Sequence, residues 1–217
     1  MKKKIVIIIL ASLGLVSLSF ASEYDDLQIL NSDQSGITLV YQVPQYSSRK
    51  LYSSEQTYDL ISINKATLSQ DEGKPWLPVR IVTLGIPFDA EVDVQISEQN
   101  SQEFSNIDLA PCPKQETNFQ KGEWKLIYQK NAQAYAVNQF LPENLIEIEP
   151  PIFIRGQKIV RLKIYPIQYN PYLKTIRHYS ELKVSVNFSR IPNKRFRPIT
   201  YQDRFFEKIF HKTDRVK

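Results

Sequence analysis

Cysteine is nearly absent: of 217 residues, only Cys112 carries a thiol. One cysteine excludes an intrachain disulfide, so a chain of this size must hold together by packing rather than by covalent staples. Two histidines, His178 and His211, add no metal cluster at any recognised ligand spacing. Glycine is scarce, at 6 residues, and no glycine-rich loop that cradles a phosphate is present. No cofactor is expected. After residue 21 no apolar run approaches the length of a membrane-spanning helix, so the mature chain reads as soluble, with no membrane span.

The one long apolar run lies at the start. Lys2, Lys3 and Lys4 precede residues 5–18, an apolar stretch whose polar interruptions are Ser12 and Ser17. Ser19 and Ala21 then put small residues at the two positions a signal peptidase reads. This is the pattern of a secretory signal peptide cleaved after Ala21, and the run is short for the alternative, an uncleaved anchor. No cysteine follows it, which argues against a lipid anchor. Cleavage leaves 217 − 21 = 196 residues, enough for one domain with a proper core.

Charge is unevenly spread. The whole chain is +5, and removal of the three N-terminal lysines leaves +2. Residues 190–217 hold nine basic and three acidic side chains, a net +6, so residues 22–189 carry +2 − 6 = −4. The basic character belongs to the two ends. A nucleic-acid partner needs a basic face on the folded domain itself, and is not expected.

What is plentiful is aromatic and β-branched: 12 Tyr and 11 Phe, with 13 Pro as punctuation. Strands are expected over residues 37–43, 58–63, 79–85, 89–97, 145–149, 158–165 and 181–189. In the last, Leu182, Val184, Val186 and Phe188 alternate with Glu181, Lys183, Ser185 and Asn187, the period of a half-buried strand. Helical spacing is found only in 201–210, where Phe205, Phe206, Ile209 and Phe210 form a stripe. No strand–helix–strand rhythm occurs, so the fold class is all-β, an antiparallel, jelly-roll-like sandwich. The stretch I-V-R-L-K-I-Y-P-I-Q-Y-N-P-Y-L at 159–173 stops twice. Pro166 ends one strand because it cannot donate to a ladder, and Asn170-Pro171 turns the chain back through 175–189 as its antiparallel partner. The expected domains are a signal peptide at 1–21, the sandwich at 22–189 and a basic tail at 190–217.

Catalytic constellations are missing. Cys112 sits between two prolines with no evident base, and the paired carboxylates Asp25-Asp26 and Asp71-Glu72 read as solvated surface. The chain alone does not read as an enzyme.

Gly73-Lys74-Pro75-Trp76-Leu77-Pro78, Leu84-Gly85-Ile86-Pro87, Val92-Asp93-Val94, the proline-rich 109–113, Tyr135, Phe140-Leu141-Pro142 and Pro166-Ile167-Gln168-Tyr169-Asn170-Pro171 occur in one order. Together this set resembles the N-terminal propeptide of gingipain-type cysteine peptidases, peptidase family C25, over about residues 24–190. The resemblance implies a latency-maintaining inhibitor and folding aid of a cysteine endopeptidase, exported by the Sec system and then the type IX route. Its partner would be a cognate C25-like catalytic domain, in cis or in trans, and none of that domain's catalytic residues lies in this chain. A basic residue presented by an inhibitory loop is also implied. The long connection 111–135 is the candidate, with Lys114, Lys121, Lys125 and Lys130 and no arginine; the other reading makes Leu126, Ile127 and Tyr128 a strand with solvated lysines. Arg195, Arg197, Arg204 and Arg215 are candidate processing sites in the tail. A different class, a secreted adhesion or carbohydrate-binding module, would use Trp76, Trp124, Tyr128 and Tyr135 as a sugar platform.

Overall fold

The alternating run at 182–188 builds the strand on which the fold is hung. The structure, a computed structural model, describes residues 25–190 apart from 54, 55, 119, 121 and 155. The signal peptide with Ala21, Lys121, the stripe at 201–210 and the tail with Arg195, Arg197, Arg204 and Arg215 lie outside the described residues. In chain order the strands are β1 (Leu27–Asp33), β2 (Gly36–Gln42), β3 (Tyr46–Tyr52), β4 (Thr57–Ile63), β5 (Thr67–Leu68), β6 (Pro78–Ile86) and β7 (Ala90–Phe104). Next come β8 (Lys114–Asn118), β9 (Glu123–Ile127) and the short helix α1 (Ala132–Ala136). The rest are β10 (Ile146–Ile148), β11 (Ile152–Ile154), β12 (Gln157–Ile164), β13 (Ile167–Asn170) and β14 (Thr175–Arg190).

Two five-stranded antiparallel sheets carry the core, and the pairs β3–β4 and β8–β9 stand apart as hairpins. In the first sheet the order is β1-β2-β14-β13, with β7 also paired to β14. In the second the order is β10-β12-β6-β5, with β11 also paired to β12. Ile37, Leu39, Leu182, Val184 and Val186 of the first sheet share one buried cluster with Val82, Leu84, Ile86, Val160, Leu162 and Ile164 of the second. Each such side chain contributes about 1.5–3 kcal/mol through burial. The all-β sandwich expected from the alternation is what forms.

β14 shows why the chain stops twice. β7 covers it from Ile176↔Phe104 to Arg190↔Ala90. Its other edge is divided: β13 takes residues up to His178, and β2 takes those from Glu181. At the division Tyr179 N–H donates to the Pro166 carbonyl (3.0 Å), and Val43 N–H donates to the Ser180 carbonyl (3.0 Å). Pro166 is thus the point where the chain leaves the second sheet and enters the first. This corrects the expected hairpin: the partner of 175–178 is the four-residue β13, not the long strand before Pro166. Proline suits the crossing because the residue between two ladders has no place for an N–H.

A second correction concerns Asp26. It is not solvated surface but buried, and it accepts from Arg80 Nε (2.8 Å) and Nη2 (2.9 Å) in a fork of two parallel bonds. Arg80 projects from β6, so the pair ties the chain's entry to the second sheet. Asp25 beside it is half exposed and pairs with Lys65. Breaking a buried pair strands the surviving charge. Asp26→Ala is expected to lower unfolding free energy by about 3–5 kcal/mol, measured by urea denaturation. The double change Asp26→Leu with Arg80→Met, which strands neither charge, is expected to recover most of that loss.

Candidate functional site

The G-x-P-x-L-P segment works as a clamp. Gly73 N–H donates to the Cys112 carbonyl (2.9 Å), and the Gly73 carbonyl accepts from Asn131 N–H (2.9 Å). Cys112 N–H returns a bond to the Lys74 carbonyl (2.8 Å). Cys112 leads into β8 and Asn131 follows β9, so one residue grips both legs of the same hairpin. Gly73 has φ +74°, and a Cβ there would sit 3.2 Å from Asn131 Cβ and 3.3 Å from the Gln129 carbonyl oxygen. Glycine is required on both counts: the left-handed backbone and the space.

The strip between the clamp and β4 is knitted by further backbone bonds. Trp76 N–H donates to Ala110, Ala110 N–H to Asp59, and Asp59 N–H to Asp108, at 2.8–2.9 Å. Trp76 Nε1–H donates to the Ser69 carbonyl (3.0 Å), and its ring lies tilted against Tyr128, centroids 6.2 Å apart. The buried Tyr169 ring of β13 reaches the same strip, where its hydroxyl donates to the Ile107 carbonyl (2.9 Å). Burial pushes the Tyr169 hydroxyl up to about 12, so it stays a donor at any working pH. Asn131 also caps α1, its side chain accepting from Ala134 N–H (3.0 Å).

On this base the hairpin stands out into solvent. The expected long connection therefore contains two paired strands, in agreement with the strand reading at Leu126 and Ile127, with Tyr128 just past the strand end and register Lys114↔Ile127 to Asn118↔Glu123. Four residues, 119–122, join them, and a Cβ added to Gly122, at φ +66°, would meet nothing within 4 Å. Trp124 and Leu126 are exposed hydrophobics, Trp124 at 66%.

The four candidate lysines fall in different settings. Lys114 and Lys125 are exposed and both approach Glu116, at 3.7 and 3.4 Å. Such open pairs contribute under about 1 kcal/mol and leave both ammonium groups available. Lys121 belongs to the four-residue connection and is outside the described residues. Lys130 is committed to the fold: its ammonium meets Asp108 at 2.5 Å and lies 5.1 and 4.8 Å from the ring centres of Tyr58 and Tyr135. Lys174 reaches the other Asp108 oxygen at 3.3 Å. Neither the role of Asp108 nor the clamp role of Gly73 is legible in the sequence, although the glycine stands in the quoted motif.

The remaining chemistry is quiet. Cys112 is buried, its Sγ lies 3.5 Å from the Ser69 carbonyl, and burial with nearby Asp71 and Glu72 pushes the thiol up, away from thiolate. His178 is buried on β14 against Tyr46, and burial holds its pKa below the ordinary imidazole value. Among the described residues no group of three or more His, Cys, Asp or Glu side chains could hold a metal. The expected sugar platform is not one exposed surface: Trp76 and Tyr135 are partly buried with their polar atoms engaged, Tyr128 packs against Trp76, and Trp124 is exposed on the hairpin.

The family model described as Propeptide_C25 matches residues 20–209. The chain belongs to the C25 propeptide family. Gingipain R1 of Porphyromonas gingivalis is 23% identical over 190 residues, covering 85% of this chain and 19% of that protein. Gingipain R2 of the same species is 22% identical over 162 residues, covering 74% of this chain and 22% of its own length. The chain thus spans between about a tenth and a fifth of the length of the curated relatives it matches. Among solved structures, the complex of Porphyromonas gingivalis RgpB pro- and mature domains aligns with TM-score 0.72 at 18% identity, covering 88% of this chain and 100% of that one. A structure addressing the zymogenic latency of gingipain K from the same species aligns with TM-score 0.64 at 21% identity, covering 75% and 92%. These two likenesses establish a shared fold. This C25 prodomain is therefore a sandwich with one clamped hairpin.

Gly73→Ala is expected to cost about 1–2 kcal/mol for the left-handed backbone alone. Hydrogen exchange is expected to show faster amides at Cys112 and Asn131 than in the parent chain, with the 182–188 amides unchanged.

Proposed function

We propose that this prodomain keeps a C25-type cysteine peptidase latent, in cis or in trans, by laying the 114–127 hairpin across the catalytic cleft. The observation that carries the reading is the clamp: one glycine fixes both legs of an otherwise exposed, basic, aromatic-bearing hairpin. A preorganised hairpin loses little conformational freedom on docking, so more of its contact energy appears as affinity. Family membership and the relatives named for their pro- and mature domains and for latency supply the partner class. Lys121 is the residue presented to an acidic specificity pocket, with Trp124 covering the rim. Lys130 is the anchor of the base rather than the plug. The chain is exported by its N-terminal signal, cleaved after Ala21, and follows the type IX route of the gingipain type. It is then released by cuts at Arg195, Arg197, Arg204 or Arg215.

One mixing experiment with a purified C25 catalytic domain tests this. Lys121→Ala is expected to weaken inhibition by about 2–5 kcal/mol, thirtyfold or more, because it empties a desolvated charge contact. Lys125→Ala is expected to change it by less than about threefold. Lys130→Ala is expected to lower thermal stability and to inhibit normally while folded. Mass spectrometry of the same mixture is expected to show trimming within 190–217 and none within 158–189. Full inhibition by Lys121→Ala would remove the hairpin tip from the mechanism.

A further inference from the structure

The second sheet ends in an apolar edge that no described residue covers. β11 pairs with β12 through Ile152↔Ile159, Phe153↔Lys158 and Ile154↔Gln157. All three of its side chains are large, apolar and exposed, Phe153 at 57%, and Ile148 of β10 adds a fourth at 41%. Phe88 leans on Phe153, ring centroids 5.1 Å apart. An open strand edge lined with hydrophobics invites pairing and aggregation, and folded chains blunt such edges or cover them.

The end of β14 lies beside this patch. Arg190 pairs with Ala90, and the Ala90 carbonyl accepts from Lys158 Nζ (2.6 Å). Lys158 is the register partner of Phe153, and Phe88 is two residues before Ala90. The last described strand therefore ends next to these exposed apolar side chains. Ten residues, 191–200, span up to about 33–36 Å when extended, ample to reach back. They lead to Phe205, Phe206, Ile209 and Phe210 at helical spacing within a segment of +6, against a body of −4. The family match continues to residue 209, well past the last strand.

We propose that residues 201–210 dock on the β10–β11 edge, seating their aromatic stripe over Phe153 and Phe88. The domain then does not end at Arg190; its C-terminal segment is a cover for the second sheet. The inference concerns the chain alone and stands or falls independently of inhibition.

Hydrogen exchange on the full mature chain, without peptidase, tests it. Amides of 201–210 are expected to exchange at least about tenfold more slowly than in a synthetic 191–217 peptide. Phe153→Glu, a change at an exposed position, is expected to return them to the peptide rate. Phe206→Glu is expected to speed exchange at 152–154 and to raise binding of a hydrophobic dye. Peptide-like exchange in the parent chain would overturn the proposal, as would slowing that survives Phe153→Glu. Slowing that appears only at high protein concentration would assign the edge to a second copy, and slowing that appears only with added peptidase would assign it to the peptidase. Either result would also overturn the proposal.

Discussion

Everything in this fold is hung on the divided edge of β14. A strand of sixteen residues needs partners along both sides, and no single neighbour supplies the second side. β2 and β13 share it, and Pro166 lets the chain step from one sheet to the other at the seam. The step has consequences at a distance. It places Tyr169 where its hydroxyl holds Ile107, and so aligns the strip that hydrogen-bonds to Asp59 on one side and to the clamp on the other. The geometry of the hairpin is inherited from that seam through the Tyr169 hydroxyl and then a run of backbone bonds.

The charges sort by the same logic. Asp26 and Arg80 are buried together, where a two-pronged geometry offsets the cost of removing both ions from water. Asp108 gathers Lys130 and Lys174 at the hairpin's root, with Tyr58 and Tyr135 closing over the ammonium of Lys130. Lys114 and Lys125 are left in water. A lysine that is one of several in a stretch can thus be structural or available, and only its neighbours decide which.

Period-two alternation makes the central strands legible, because β2, β6, β12 and the second half of β14 each bury one face against the opposite sheet. β3, with the sequence Y-S-S-R-K-L-Y, and β8, with K-Q-E-T-N, carry no such pattern, since most side chains of these two strands meet water. The far half of β7 is likewise polar and extends only because β14 lies alongside. Asp26 escapes the sequence for a similar reason: a carboxylate in a polar run looks solvated until its partner, fifty-four residues away, is known. Of the site, the motif containing Gly73 is visible but its bonds are not, because they join three segments distant in sequence.

The central claim is that the hairpin, not a sheet face, meets the peptidase. Hydrogen exchange of the chain with and without a C25 catalytic domain tests it most directly. The account expects the largest slowing at 114–127, with little change at 37–43 and 182–188. Unchanged exchange across 114–127, with slowing concentrated on a sheet face, would contradict it.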